Sequence, residues 1–379
     1  MSWENIQLGE FLTLKRGYDL SSAHRRDGEV PIVSSSGITG YHNEVKVAGP
    51  GVVTGRYGTL GEVFFVKEDF WPLNTALYVQ DFKGNDPRFT AYFLKCVLKG
   101  TSSDKAAVPG VNRNDLHARK VTVTRNKSEQ IAIAFILSAY DDLIENNRRR
   151  IQLLEQAARL LYQEWFVHLR FPGHEHVPIT DGVPEGWEKK SLSEAADSVS
   201  YGLTASSTQD AVGPKFLRIT DIVQSVLDWD EVPFCEAHDK EIERNRLEVG
   251  DVVVARTGAT VGYAKVISRL PSVAVYASYL VRFRFGDPSI SLMAGIFMES
   301  AAYKEYVKNH AGGAAQPNAN ATVLGSALML IPPGVLQQQF SDSVTPIVSQ
   351  RDTLVEQNGY LTKARDILLP RLMNGEVSV

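Results

Sequence analysis

Leu143-Ile144-Glu145-Asn146-Asn147 returns late in the chain as Leu354-Val355-Glu356-Gln357-Asn358. Each copy lies in a run whose landmarks step by three or four. The first run is Ile136, Tyr140, Leu143, Asn147, Ile151, Leu154, Ala158, Leu161 and Trp165; the second is Ile347, Arg351, Leu354, Asn358, Leu361, Arg365, Leu368 and Leu372. That spacing is the seam of a coiled coil, so segments 126–170 and 336–379 are expected to form long helices. An asparagine on such a seam lowers stability but fixes pairing and register, because a buried amide needs a partner. Asn147 and Asn358 hold equivalent places, which predicts that they meet where the helices cross, with Leu143, Leu154, Leu354 and Leu361 pairing around them. The plainer alternative is two helices that each pack only on a module of their own.

Working outward, the segments before these helices also repeat. Trp3-Glu4 with Leu8 and Glu10 matches Trp187-Glu188 with Leu192 and Glu194. The run from Val52 to Gly61 matches Val252 to Gly262, and the polar turn Asn112-Arg113-Asn114 matches Asn318-Ala319-Asn320. The offset between copies drifts, so they differ by insertions, but the landmarks keep their order. Short β-branched or aromatic runs bounded by Gly, Pro and Asn read as strands. In segment 1–125 these are Val52–Thr54, Glu62–Val66, Ala76–Val79 and Val121–Thr124; in segment 171–335 they are Phe216–Ile219, Val252–Ala255, Tyr263–Ile267, Tyr279–Phe285 and Ala327–Ile331. Pro87–Lys99 and Ile290–Asn309 read as helices. The expected fold class is α+β: two β-rich modules, each followed by a long helix.

Composition is consistent with that plan. A chain of 379 residues exceeds the roughly 100–200 residues of one domain. Its 44% hydrophobic and 22% charged content suits modules that bury their own cores. The N-terminus lacks an export signal, and no apolar run approaches the roughly 20 residues of a membrane span. Cys96 and Cys235 cannot make a disulfide framework and fit a reducing cytoplasm. The net charge of −4 argues against DNA binding by bulk electrostatics. Its distribution is uneven: segment 1–125 carries +3 and segment 171–335 carries −6, much of the acidity between Asp228 and Glu248. If DNA is bound, partner subunits are expected to supply part of the phosphate attraction.

Catalytic motifs are missing. The run Gly51 to Gly61 has no Lys-Ser/Thr end and so lacks the groups that hold phosphate and metal. No nucleoside-cofactor fingerprint and no Asn-Pro-Pro-aromatic stretch for amino-group methylation occurs. His168, His174 and His176, or Cys235 with His238, do not supply a clear four-ligand set, so no metal is expected. The carboxylates are plentiful but suggest no acid/base pair.

Arginines in Gly-flanked turns are a better lead. Arg56 and Arg256 each end a strand and precede a glycine turn, where a planar guanidinium can bind guanine O6 and N7 bidentately. Tyr57, Thr59, Thr257 and Thr260 share those turns; an ordinary hairpin with a surface arginine is the alternative. Asn112, Arg113 and Asn114, with Gln316, Asn318 and Asn320, place amides in polar loops, where Asn or Gln can pair with adenine or simply form turns. Ser34, Ser35, Ser36, Tyr276, Ser278 and Tyr279 are weaker candidates. Arg148-Arg149-Arg150 is most simply a solvated helix face.

Taken in order, these residues resemble the specificity subunits of type I restriction–modification systems over essentially the full length. The resemblance rests on Trp3 to Gly17, Pro31-Ile32-Val33-Ser34-Ser35-Ser36-Gly37, Gly55 to Gly61, Gly182-Val183-Pro184-Glu185-Gly186-Trp187, Phe216 to Ile222 and Arg256 to Gly262. Ser128-Glu129-Gln130-Ile131 before the first helix, and Pro332-Pro333 with Gln338-Gln339 before the second, look like the family's helix entries. Arg218, inside the Phe216 to Ile222 stretch, joins the candidate DNA contacts. The resemblance implies target-recognition domains at 1–125 and 171–335, and spacer helices at 126–170 and 336–379 forming an antiparallel coiled coil about a pseudo-twofold internal repeat. It implies a cytoplasmic, non-catalytic reader of a bipartite double-stranded DNA site. It also implies two methylation subunits, which bring S-adenosylmethionine, and two restriction subunits, with ATP and Mg likewise bound by partners. A coiled-coil protein-binding scaffold that no longer reads DNA is the alternative from another class. A self-contained modification enzyme is disfavoured by the missing motifs.

Overall fold

The computed structural model describes residues 3–56, 61–99, 112–224, 226–313 and 317–379. The chain divides into two compact units, Met1–Ile144 with Tyr360–Val379, and Glu145–Gly359. The fold is α+β, with two β-rich regions and two long helices, Lys127–Tyr162 and Gly334–Met373.

In the first unit, a ribbon of Trp3–Gln7 and Lys120–Thr124 precedes an antiparallel sheet. Its strand order is Thr13–Arg16, Ala76–Asp81, Gly51–Gly55, Val63–Val66. A second sheet holds Gly37–His42, Val30–Ser34 and Trp71–Pro72, the last two parallel. Helix Pro87–Leu98 starts where Asp86 accepts a hydrogen bond from Phe89 N at 2.8 Å and Pro87 presets the first turn. Its Phe89, Phe93, Leu94 and Leu98 pack with Phe11, Val52 and Leu77, joined by Ile133 and Leu137 of the first long helix and Leu372 of the second. Each such buried side chain contributes about 1.5–3 kcal/mol.

The second unit repeats the main elements of the plan. The ribbon is Glu188–Ser191 with Leu328–Ile331, and the sheet order is Ser198–Tyr201, Leu280–Arg284, Val252–Ala255, Ala264–Val266. Strands Lys215–Leu217 and Ala274–Tyr276 form the parallel pair. Asp287 and Pro288 start helix Pro288–Glu299 as Asp86 and Pro87 do its counterpart. Part of the drift of offsets has a local cause: the second unit carries helix Asp239–Asn245, which has no counterpart among the described residues of the first. The helix expected over Ile290–Asn309 is in fact two, because Ser300 leaves the helical conformation and its hydroxyl caps Tyr303 N at 3.2 Å.

One backbone device also recurs. After strand Thr13–Arg16, a Cβ at Gly17 would lie 2.2 Å from Leu73 O; after Ser198–Tyr201, a Cβ at Gly202 would lie 2.2 Å from Tyr276 O. Only glycine lets the chain pass so close to its neighbour.

The long helices are in contact, and within the second unit they run antiparallel. Asn147 Nδ2 donates to Asn358 Oδ1 at 3.0 Å, while Tyr162 and Trp165 meet Phe340 at ring separations of 6.2 and 5.6 Å. The buried seam residues of the first helix there are Asn147, Ile151, Ala158 and Tyr162, and Leu354 is buried on the second. Leu154 and Leu361 are half-buried. Leu143 is a correction: it is 52% exposed, because the buried stripe at that turn passes through its neighbour Ile144. The seam arginines have partners within their own units. Arg351 donates to Asp352 and to Ser268 Oγ, and Arg365 donates to Asp141 Oδ1 at 2.6 Å.

Candidate nucleic-acid interface

Strand Val252–Ala255 is buried throughout, so the chain first becomes able to face outward at Arg256. The turn beyond it is fixed through main-chain atoms. Arg256 N donates to Tyr279 O at 3.0 Å, Ala319 N to Arg256 O at 2.8 Å, and Gly258 N to Pro317 O at 2.9 Å. Thr257 bridges Asn318. Gly258 has φ +79°, a conformation that glycine adopts without strain. These bonds gather Arg256, Thr257, Tyr279, Asn318 and Asn320 on one rim of the second unit.

The Arg256 guanidinium lies over the Tyr201 ring, 4.8 Å from its centroid. Its Nε is buried without a hydrogen-bond partner, and it forms no ion pair among the described residues. An unsatisfied buried donor on a cation costs about 1–3 kcal/mol or more; among the described residues the guanidinium is met by the Tyr201 ring. Tyr201 sustains the arrangement from below: its hydroxyl accepts from Ala321 N at 2.9 Å. That bond joins the platform to the start of helix Ala321–Gly325, where Asn320 Oδ1 accepts from Val323 N at 2.9 Å. Asn318 and Asn320 are exposed and Tyr279 is 61% exposed. Thr257, Thr260 and Ser278 are half-buried.

Two candidates of this unit are otherwise employed. Tyr276 is fully buried and its hydroxyl bonds Ser200 Oγ at 2.8 Å; burial pushes its phenol up. It is a core residue and presents nothing to a ligand, which corrects the expectation. Arg218 turns its fork on Asp221, Nε to Oδ2 at 3.1 Å and a terminal nitrogen to Oδ1 at 2.9 Å. That pairing raises its pKa further and leaves little of the fork for a base.

In the first unit, Arg56 follows strand Gly51–Gly55 and its N donates to Thr75 O at 3.0 Å, the counterpart of the Arg256 to Tyr279 bond. Thr54 Oγ1 donates to Glu62 O at 2.8 Å across the same turn. The residue in the place of Tyr201 is Arg16, which pairs with Asp19 at 3.3 Å. Ser34 is buried, accepts from Ser36 N and donates to Gly37 O, closing a hairpin; Ser35 is half-buried and Ser36 exposed. Asn112 caps helix Arg113–Ala118 by accepting from Asn114 N at 3.0 Å, and Arg113 and Asn114 are exposed. Tyr57, Thr59 and Gln316 lie outside the described residues.

Tyr201 is the residue that sequence reasoning missed. It sits in a short strand without turn signals, and the contact that gives it a role is with Ala321, far along the chain. Among the described residues no group of three or more His, Cys, Asp or Glu side chains is placed to hold a metal ion, and no helix is long and apolar enough to cross a membrane.

Comparisons with known proteins point the same way as this geometry. Residues 1–156 match the family described as type I restriction modification DNA specificity domain. The chain is similar to the MjaIX type I restriction enzyme specificity subunit of Methanocaldococcus jannaschii, 25% identical over 66% of this chain and 59% of that protein's length. It is also similar to the MjaVIII specificity subunit of the same organism, 23% identical over 100% of this chain and 93% of that one. Among solved structures, the type I restriction–modification S subunit from M. genitalium superposes with a TM-score of 0.63 at 16% identity, covering 98% of this chain and 96% of that one.

Proposed function

We infer that this chain is a specificity subunit of a type I restriction–modification system and reads a two-part sequence in double-stranded DNA. Each β-rich module reads one part, and the paired helices set the spacer between them. The recognition modules correspond to residues 1–125 and 171–335, and the spacer helices to 126–170 and 336–379. The reading centres on Arg256, an arginine with no ion-pair partner among the described residues, fixed over Tyr201 with a buried Nε that has no hydrogen-bond partner there. A bidentate guanine contact is the use of such a fork that satisfies both its charge and its geometry.

Specificity subunits are the non-catalytic parts of these complexes. The chain accordingly carries no cofactor of its own; S-adenosylmethionine, ATP and Mg belong to partner subunits. We place it in the cytoplasm with two methylation subunits and, in the full complex, two restriction subunits. Part of the phosphate attraction that its net charge of −4 does not supply then comes from those partners.

The test is an exchange of residues 1–125 for the equivalent module of a relative, followed by mapping of methylated sites in cells that also make the methylation subunit. A reader changes one half of its motif and keeps the other. A scaffold that does not read DNA leaves the motif unchanged, and methyl transfer by the purified chain alone would overturn the assignment as a non-catalytic subunit.

A further inference from the structure

Beside the first unit's sheet lies a cluster that base reading does not use. Tyr18 follows the close approach at Gly17, and its hydroxyl shares a hydrogen bond with the Tyr78 hydroxyl at 3.0 Å. The Lys15 ammonium lies 5.5 Å and the Lys46 ammonium 5.1 Å from the Tyr18 ring centroid; Lys46 is also 5.0 Å from the Trp71 ring. Neither lysine forms an ion pair among the described residues. The nearby carboxylate of Asp19 is taken up by Arg16 and Asn74. His42, edge-on to Trp71, uses Nδ1 to accept from Arg26 N, and the Trp71 indole N–H is buried with no acceptor among the described residues. The hydrogen bond shared with Tyr78 is foremost in pulling the Tyr18 phenol below its ordinary range, with Lys15 and Lys46 adding to it against the effect of burial. The cluster is therefore rich in cations and donors and short of free acceptors.

We propose that Lys15 and Lys46, held against Tyr18 and Trp71, seat the phosphodiester backbone of DNA on the first unit. The proposal rests on the DNA-reading function above and assigns this patch to positioning instead of base recognition. Lysine is a point charge that suits phosphate and lacks the planar fork of arginine. The second unit's register places Ser200 opposite Arg282 where the first unit has Lys15 opposite Tyr78, and its Tyr276 is sealed in the core. The difference follows the charges of the two segments, +3 for residues 1–125 and −6 for 171–335.

The full chain is titrated with two DNA duplexes, one carrying the mapped motif and one lacking it, over a series of salt concentrations. In the Lys15→Gln/Lys46→Gln variant the slope of log affinity against log salt should fall by about 1–2, since each phosphate contact contributes about 0.9. Binding to both duplexes should weaken by the same factor, and the methylation motif should not change. Lys46→Gln alone, at an exposed position, should lower the slope by about 1, and Lys15→Arg/Lys46→Arg should restore it. An unchanged slope, or a loss confined to the motif-bearing duplex, overturns the proposal. A wild-type chain that does not distinguish the two duplexes would instead overturn the DNA-reading function.

Discussion

Asn147 and Asn358 are joined side chain to side chain, Nδ2 to Oδ1 at 3.0 Å, with Asn147 buried between apolar turns of its helix. Replacing one amide by a hydrocarbon leaves the other without that bond, at about 1–3 kcal/mol. Asn147→Leu should therefore destabilise the second unit, while Asn147→Leu with Asn358→Leu should recover most of the loss, since an apolar pair suits the seam. Urea unfolding of the wild type, both single variants and the double variant gives the coupling energy, expected at about 1 kcal/mol. Strictly additive losses would show that the pair does not act as a unit.

Arg256→Ala should weaken binding to the motif by about 1–3 kcal/mol and relax one position of one half-site. Arg256→Lys should not restore it, because an ammonium cannot supply the fork. Tyr201→Phe keeps the ring beneath the guanidinium and should retain the motif, whereas Tyr201→Ala should blur it at the position that Arg256→Ala blurs. Arg56→Ala should act only on the opposite half-site. Methylation mapping reads all of these, and a motif indifferent to both arginines would remove them as base readers.

His117 makes the first unit sensitive to acid. Its Nε2 accepts from Leu14 N at 2.9 Å, which requires the neutral ring, and burial foremost, then Arg113 and Lys83, lowers its pKa from 6.5. A pKa lowered by folding means that the group's contribution is complete above 6.5 and is lost as pH falls through the lowered value. Hydrogen exchange at the Leu14 amide should accelerate, relative to its intrinsic rate, as pH drops from about 7 to about 5. His117→Gln, which offers an acceptor that does not titrate, should flatten that dependence; an equal dependence in the variant would clear His117 of the role.

The fold class and the repeat were legible because both are written in periodicity. Apolar steps of three and four mark the long helices, and Asp-Pro entries such as Asp86-Pro87 and Asp287-Pro288 begin equivalent helices. Errors arose where a single residue of phase or one distant contact decides. Leu143 and Ile144 are equally apolar, and only packing shows which lies inward. Tyr276 and Tyr279 are three residues apart in a strand and its turn, yet one is fully buried and the other 61% exposed. The partnership of Tyr201 with Arg256 and Ala321 depends on tertiary contacts that no local pattern records.

The turn after Ala255 is anchored by the main-chain atoms of Arg256, Gly258 and Ala319, and the exposed side chain of Asn318 takes no part in those bonds. Substitutions there meet little resistance from folding, since exposed positions away from caps and cores usually change stability by less than about 0.5 kcal/mol. On the proposed reading, foldability and target choice are thus placed on different atoms of the same few residues. Such a surface can drift to new preferences by single substitutions while every intermediate chain still folds.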